Sequence, residues 1–275
     1  MNPITFPGLG ISVQIQRVAF SILGKDIYWY GIIIAVGFLL GSYFASRQYA
    51  RLGGKEDDAL DVLLYAAPAG ILCARIYYVV FYLDLYRNTD GSFNWKEAIA
   101  IWDGGIAIYG GIIGSFLAAF LYCRLRRLSF LTMADAYSYG LLIGQSIGRW
   151  GNFVNQEAYG GQCTLPWRMG LTLVTGTAVE VHPTFLYESL WNLTGLLLLY
   201  FVVRPRRRFS GMLFCTYLFW YGLGRFWIEG LRTDSLYLFQ TGLRVSQLVA
   251  LTSAVVTGAI LFWNLARSPK EKNPA

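Results

Sequence analysis

The sequence predicts an all-α integral membrane protein of about seven transmembrane helices, with the N-terminus outside, the C-terminus cytoplasmic and a small arm or cap on the outer face. Three observations predict it. Across 275 residues the chain is 55% hydrophobic and only 14% charged, against about 25% charged in ordinary soluble domains. Apolar stretches of spanning length recur, and a membrane helix needs roughly 20 such residues. Compact Lys and Arg clusters fall after alternate stretches, as the positive-inside rule requires. The length suits one helical bundle, so residues 1–275 read as a single polytopic membrane domain.

The first 27 residues alternate apolar and polar side chains around Ile11-Ser12-Val13-Gln14-Ile15-Gln16. That period is strand-like or interfacial, and it predicts a short outer-face arm. The bundle follows over 28–266, with spans near 28–46, 59–83, 105–123, 131–150, 184–203, 211–231 and 244–266. The first apolar run has no basic n-region and no small-residue cleavage site, so it is expected to stay as the first span. The third and fourth spans are rich in glycine (Gly104, Gly105, Gly110, Gly111, Gly114; Gly140, Gly144, Gly148). Such residues permit close helix packing or a ligand-facing bend, and the sequence leaves both open. Residues 267–275 read as a cytoplasmic tail.

Orientation rests on four clusters: Arg47, Arg51 and Lys55; Arg124, Arg126 and Arg127; Arg204, Arg206, Arg207 and Arg208; and the tail with Arg267, Lys270 and Lys272. These mark the cytoplasmic side. The opposite loops, 84–104, 151–183 and 232–243, are longer and mix both charges. Loops of that length are often functional. The net charge of +7 fits topology and anionic lipid better than nucleic acid. Cys73, Cys123, Cys163 and Cys215 are scattered without a CxxC pair, which argues against a metal site or a disulfide framework. The sequence has no P-loop, GxSxG or HExxH motif, so ATPase, serine-hydrolase and zinc-protease chemistry lose support, and no cofactor is implied.

Polar chemistry concentrates in Gly148-Arg149-Trp150-Gly151-Asn152-Phe153-Val154-Asn155-Gln156-Glu157, continuing to Gly160-Gly161. Charge at a bilayer edge is expensive and marks a candidate site. Five arginines lie outside the basic clusters: Arg75, Arg149, Arg225, Arg232 and Arg244. Arg225 and Glu229 share one helix face, and Arg232 follows on nearly the same stripe. Intramembrane ion pairs would explain each arginine singly. Together they outnumber Glu157, Glu188 and Glu229, which points to an external anion. A guanidinium fork suits phosphate, and a phospholipid head group is the anion at that depth. Asn152 and Asn155 suit a polyol or ester. Tyr30 reads as an aromatic-belt anchor. His182, before Pro183, reads as a local hydrogen-bonding residue at a helix start, with a general base as the alternative. Asp135, in Thr132-Met133-Ala134-Asp135, reads as a structural capping box.

The Gly148–Gly161 stretch resembles the signature of the bacterial prolipoprotein diacylglyceryl transferases. Trp29-Tyr30-Gly31, Trp102-Asp103-Gly104-Gly105, His182-Pro183-Thr184 with Leu186-Tyr187-Glu188, and Tyr221-Gly222 through Arg225, Glu229 and Arg232 resemble other parts of that family in chain order. The resemblance covers about residues 28–266. It implies a seven-helix bundle with a periplasmic cap in the bacterial plasma membrane, its active site opening to the outer leaflet. The implied partners are phosphatidylglycerol, a preprolipoprotein signal peptide with a lipobox cysteine, and the membrane, with no nucleic acid. The implied reaction moves the diacylglyceryl group to the cysteine thiol, forms a thioether and releases glycerol 1-phosphate.

Carried onto this chain, the resemblance and the arginine surplus nominate Arg149, Arg225, Glu229, Tyr109 and Tyr30 as catalytic. They nominate Arg149, Asn152, Glu157, Arg75 and Arg232 as substrate-binding. Arg149 and Arg225 would clamp phosphate. Glu157 and Glu229 would orient the arginines, with Glu229 also a proton acceptor. The family often carries histidine before the Gly110-Gly111 pair, where this chain has Tyr109. A phenol with a pKa near 10 serves as a base only if strongly perturbed, so hydrogen bonding to the lipid is the preferred role. The competing class is a phospholipid or anion transporter, or a lipid-binding membrane protein without chemistry.

Overall fold

Helices cover each expected span in the structure, a computed structural model that describes residues 3–88, 90–173, 175–238 and 241–267. They are α1 (Trp29–Arg51), α2 (Glu56–Phe81), a short α3 (Trp95–Ile99), α4 (Ile108–Arg126), α5 (Phe130–Asn155), α6 (Thr184–Leu197), α7 (Met212–Leu231) and α8 (Val245–Arg267). A π-helical turn, Leu198–Val203, and a 3-10 turn, Arg204–Arg206, continue α6. Among the described residues, five helical segments are long and apolar enough to cross a membrane: α1, α2, α4, Thr184–Arg206 and α8. The chain is an integral membrane protein of the all-α class. The other two long helices, α5 and α7, carry the polar groups Gln145, Ser146, Arg149, Asn152, Arg225 and Glu229. The tail expected over 267–275 lies outside the described residues beyond Arg267.

The chain divides into two compact units, residues 49–133 and residues 1–48 with 134–275. In the first, α2 opens with Glu56, Asp57 and Asp58 at its positive end. It packs on α4 through glycines. A Cβ at Gly110 would stand 2.5 Å from the Cys73 carbonyl oxygen, and one at Gly114 would stand 2.4 Å from Cys73 Cβ. These glycines serve close packing. Gly104 and Gly105 instead take left-handed φ angles of +88° and +70° and bend the chain ahead of α4. Close packing is thus the role of the glycines within α4, and Gly104 and Gly105 shape the turn ahead of it.

In the second unit, α1 and α5 cross where Gly41 meets Gly140. Tyr139, Leu142, Leu199, Leu213 and Tyr217 form one buried cluster among α5, α7 and the turn after α6. Trp191 of α6 and Trp220 of α7 stack at 4.4 Å. Each indole N–H donates to the other's carbonyl at 2.9 Å. Gly224 and Gly195 leave room for these rings.

The N-terminal segment is a strand-built arm. It contains β1 (Ile4–Phe6), β2 (Ile11–Val13), β3 (Val18–Ile22) and β4 (Lys25–Tyr28). The long loop after α5 holds the hairpin β5 (Met169–Thr172) and β6 (Ala178–Val181). β1 joins β2 to β5, and all pairs in the resulting β2-β1-β5-β6 sheet are antiparallel. Ile4, Met169, Leu171 and Val181 of this sheet pack with Phe153, Val154 and Phe185. The sheet therefore sits on the end of α5 and the start of α6, where the polar cluster lies.

Candidate active site

The signature segment is more helical than expected. α5 continues to Asn155 rather than stopping near 150, so Arg149 and Asn152 are three residues apart on one helix. Arg149 Nη1 donates to Asn152 Oδ1 at 3.2 Å. The helix closes in a Schellman turn. The Gln156 N–H donates to the Phe153 carbonyl at 3.1 Å and the Glu157 N–H to the Asn152 carbonyl at 3.1 Å. Gln156 takes the left-handed conformation, φ +56°, that glycine usually fills. The turn folds Glu157 back, and Asn152 Nδ2 donates to its carboxylate at 2.9 Å. Glu157 thus reaches Arg149 through Asn152.

The loop beyond is fastened at both ends. The Gly160 N–H donates to the His182 carbonyl at 3.0 Å and the Gly161 N–H to the Leu231 carbonyl at 2.8 Å. A Cβ at Gly160 would stand 2.7 Å from His182 Cβ, so the close approach requires glycine. Thr184 Oγ1 donates to the Ala158 carbonyl at 2.5 Å. These bonds draw the ends of α5 and α7 to the start of α6.

Their meeting point is Glu188. This carboxylate, with a side chain 5% exposed, pairs with Arg149 through Oε2 and accepts from Arg225 Nη1 at 3.0 Å through Oε1. Arg232 Nη1 stands 3.8 Å from the same Oε1. Arg225 Nη2 also lies 2.6 Å from Glu229, whose side chain is 2% exposed. Arg232 makes a two-pronged pair with Asp234, at 2.9 and 2.7 Å. Those hydrogen bonds hold the Asp234 carboxyl below the usual carboxylate range. Arg244 donates to the Glu229 main-chain carbonyl.

Sequence reasoning named Arg149, Arg225, Glu229 and Arg232, and the structure brings all four together. It counted Glu188 only as a nearby acid and overlooked Asp234. Asp234 raises the acids from three to four, and Arg75, the fifth arginine, is spent on main-chain carbonyls, so no surplus remains at the cluster. Arg149, Arg225, Arg232 and Arg244 stand among Glu157, Glu188, Glu229 and Asp234. The signal for Glu188 was available: its spacing to Trp191 and its place one turn into α6 set it on an inward face.

Tyr30, near the start of α1, packs its ring where a Cβ at Gly151 would stand 2.7 Å away. With Asp26, Ile27, Tyr28, Gly31 and Asn155 it lines a cleft of about 420 Å³. Arg17 of the arm donates to the Asn155 carbonyl at 2.7 Å. His182 Nδ1 lies 3.3 Å from Tyr187 Oη, which accepts from Trp167 Nε1 at 2.8 Å. That is the local hydrogen bonding expected of it.

Arg75 and Tyr109 belong to the other unit. Arg75 is buried and donates to the carbonyls of Ala98 at 2.9 Å, Glu97 at 2.6 Å, Gly104 at 2.5 Å and Gly105 at 2.8 Å. Four hydrogen bonds nearly exhaust a guanidinium's five donors, so in this conformation Arg75 holds the 97–105 loop. Tyr109 lies in the first turn of α4, just after that loop. Asp135 is buried but forms no capping box on its own helix. It accepts from the Gly211 N–H at 2.8 Å and the Phe214 N–H at 2.9 Å at the start of α7, and from Arg207 Nε at 3.1 Å.

Fold and site together define a multi-pass membrane protein whose buried arginine–carboxylate cluster ties three helix ends together. The family model described as prolipoprotein diacylglyceryl transferase matches residues 17–263. A phosphatidylglycerol–prolipoprotein diacylglyceryl transferase of Clostridioides difficile (strain 630) is 44% identical over 256 residues, covering 93% of this chain and 97% of the relative. Proteins of the same description from Lysinibacillus sphaericus (strain C3-41) and Finegoldia magna are 43% and 46% identical. These alignments cover 94% and 90% of this chain, and 96% and 94% of the respective relatives. The chain belongs to the prolipoprotein diacylglyceryl transferase family, and it is a transferase.

Proposed function

We propose that this enzyme transfers the diacylglyceryl group of phosphatidylglycerol to the lipobox cysteine of a preprolipoprotein signal peptide, forming a thioether and releasing glycerol 1-phosphate. The observation that carries the proposal is the bridge at Glu188. Two guanidinium forks from different helices converge on one buried anionic group. The same forks suit a phosphodiester, and charge developing on a leaving phosphate is stabilised most where water is excluded.

In this reading Arg149 and Arg225 hold the phosphate. Glu229 orients Arg225, Asn152 and Glu157 hold head-group oxygens, and Arg232 closes the cluster. Tyr30 hydrogen-bonds the lipid from the cleft it lines. Tyr109 does so from α4, and Arg75 acts by holding the loop ahead of that helix. The thiolate displaces the phosphate at C3 of the glyceryl unit. The seven-helix bundle over 28–266 spans the plasma membrane within one polytopic domain over 1–275. The N-terminal arm lies on the outer face, the C-terminal tail is cytoplasmic, and the site opens to the outer leaflet. Alternation of the basic clusters supports that orientation.

The test is incubation of the purified protein with phosphatidylglycerol and a lipobox peptide, followed by mass spectrometry. The expected result is a diacylglyceryl mass gain on the cysteine with release of glycerol 1-phosphate. A protein that binds the lipid yet leaves the thiol free is a transporter or lipid-binding protein.

A further inference from the structure

We propose that Glu188 is the proton acceptor for the substrate thiol, freed for that task when the lipid phosphate takes over Arg149 and Arg225. The inference rests on the proposed reading of this site as a phosphatidylglycerol site.

It starts from charge balance. Four arginines (149, 225, 232 and 244) are matched by four carboxylates (Glu157, Glu188, Glu229 and Asp234). A phosphodiester adds one negative charge to a balanced cluster in which Glu188 and Glu229 are buried. A buried carboxylate that loses its partners must move or take up a proton, because burial disfavours the charged form. Geometry identifies which one. Glu188 alone is held by both expected clamp residues, through Oε2 to Arg149 and Oε1 to Arg225. Its remaining neighbour, Arg232, is at 3.8 Å, beyond hydrogen-bond reach. Glu229 uses the other terminal nitrogen of Arg225 and keeps it. Asp234 keeps its two bonds to Arg232. Glu157 keeps Asn152.

The charged and titratable groups facing Glu188 are Arg149 from α5, and Arg225, Glu229 and Tyr221 from α7, with Arg232 just beyond. Once phosphate occupies the two forks, Glu188 is a carboxylate without its arginine partners beside the leaving group, placed to accept the thiol proton. The S–H proton passes to a Glu188 oxygen. The thiolate electron pair forms the C–S bond at C3 as the C3–O bond breaks, and that bonding pair leaves on the phosphate oxygen. Glu188 returns the proton to the departing phosphate monoester and recovers its two arginines as the product leaves. This assigns the base within the cluster and leaves Tyr109 as a hydrogen-bonding residue.

The test compares wild type, Glu188→Gln and Glu188→Asp in full-length purified protein. Each receives phosphatidylglycerol and two lipobox peptides, one with cysteine and one with selenocysteine, whose selenol ionises without a base. For Glu188→Gln we expect lipid binding at least as tight as wild type. Its kcat on the cysteine peptide falls by about 10²- to 10³-fold, the usual share of a general base. On the selenocysteine peptide it stays within roughly tenfold of wild type by the same reasoning. An unchanged kcat, or equal loss on both peptides, overturns the proposal. If Glu188→Gln does not fold, Glu188→Asp carries the same comparison, since its shorter carboxylate slows cysteine more than selenocysteine only if it takes the proton. Wild-type protein that modifies neither peptide overturns the transferase reading itself, a distinct failure.

Discussion

The Asn152 amide donates to the Glu157 carboxylate at 2.9 Å across a turn whose central residue, Gln156, is left-handed. The bond exists because the Schellman turn reverses the chain immediately after α5. Any L side chain bears a cost of roughly 1–2 kcal/mol there, and a β-branched one tolerates it worst. Gln156→Val is therefore expected to be less stable than Gln156→Gly by at least about that amount and to pull Glu157 off Asn152, reducing transfer. Gln156→Gly should keep both. Thermal unfolding in detergent and the peptide-lipidation assay check the pair. Equal stability of the two variants would remove the turn from the account.

Arg149→Lys tests the phosphate clamp. A lysine offers a point charge without a fork and cannot reach Glu188 and Asn152 together as Arg149 does. Transfer should fall by about 10²- to 10³-fold, the scale for losing one charge-stabilising donor in a buried site. Near-normal turnover by this variant would sink the clamp.

Much of this arrangement is legible in the sequence, for reasons that differ by element. The long helices announce themselves through apolar length. Arg225 and Glu229 announce their pairing through helical spacing, because that relation is local to one helix. Glu188 reveals its role only when α5, α6 and α7 converge, which depends on contacts far apart in sequence such as Gly160 to His182 and Gly161 to Leu231. Asp135 looks like a cap for its own helix because local pattern cannot show that α7 begins beside it. The β5–β6 hairpin is obscured by a loop whose glycines and prolines read as turns, and its pairing partner β1 is over 160 residues away.

Tyr109→Phe separates a phenolic base from a hydrogen-bonding role. A single neutral hydrogen bond contributes about 0.5–1.5 kcal/mol. The variant is therefore expected to keep transfer within roughly tenfold of wild type. A loss of several hundredfold in kcat, absent with the selenocysteine peptide, would make the phenol the base and displace Glu188.

The α1–α5 crossing gives a prediction about stability alone. A Cβ at Gly140 would lie 2.5 Å from the Gly41 carbonyl oxygen, a backbone atom that cannot swing aside. At Gly144, one turn further along, the nearest atom would be the Gly37 carbonyl oxygen at 3.8 Å, an ordinary contact. Gly140→Ala is expected to cost about 1–3 kcal/mol through overpacking. Gly144→Ala should be neutral or stabilising, since alanine is favoured over glycine in a helix by about 1 kcal/mol. Unfolding midpoints of the two variants in the same detergent check this, and similar midpoints would mean the crossing adjusts.

Asp135 supports the other end of α5. Its carboxylate meets two N–H groups at the start of α7 and the Arg207 guanidinium, and its side chain is fully buried. Asp135→Ala leaves those N–H groups without an acceptor and a largely buried arginine without its counter-ion. Removing one partner of such a pair costs roughly 3–5 kcal/mol. Asp135→Asn keeps one acceptor oxygen and should lose less. The order of unfolding midpoints is expected to be wild type, Asn, then Ala, with Arg207→Ala recovering part of the loss in the Asp135→Ala background because it removes the stranded charge. If the second substitution instead adds its full cost to the first, the two residues do not act as a pair, and Asp135 stabilises the protein only as the cap of α7.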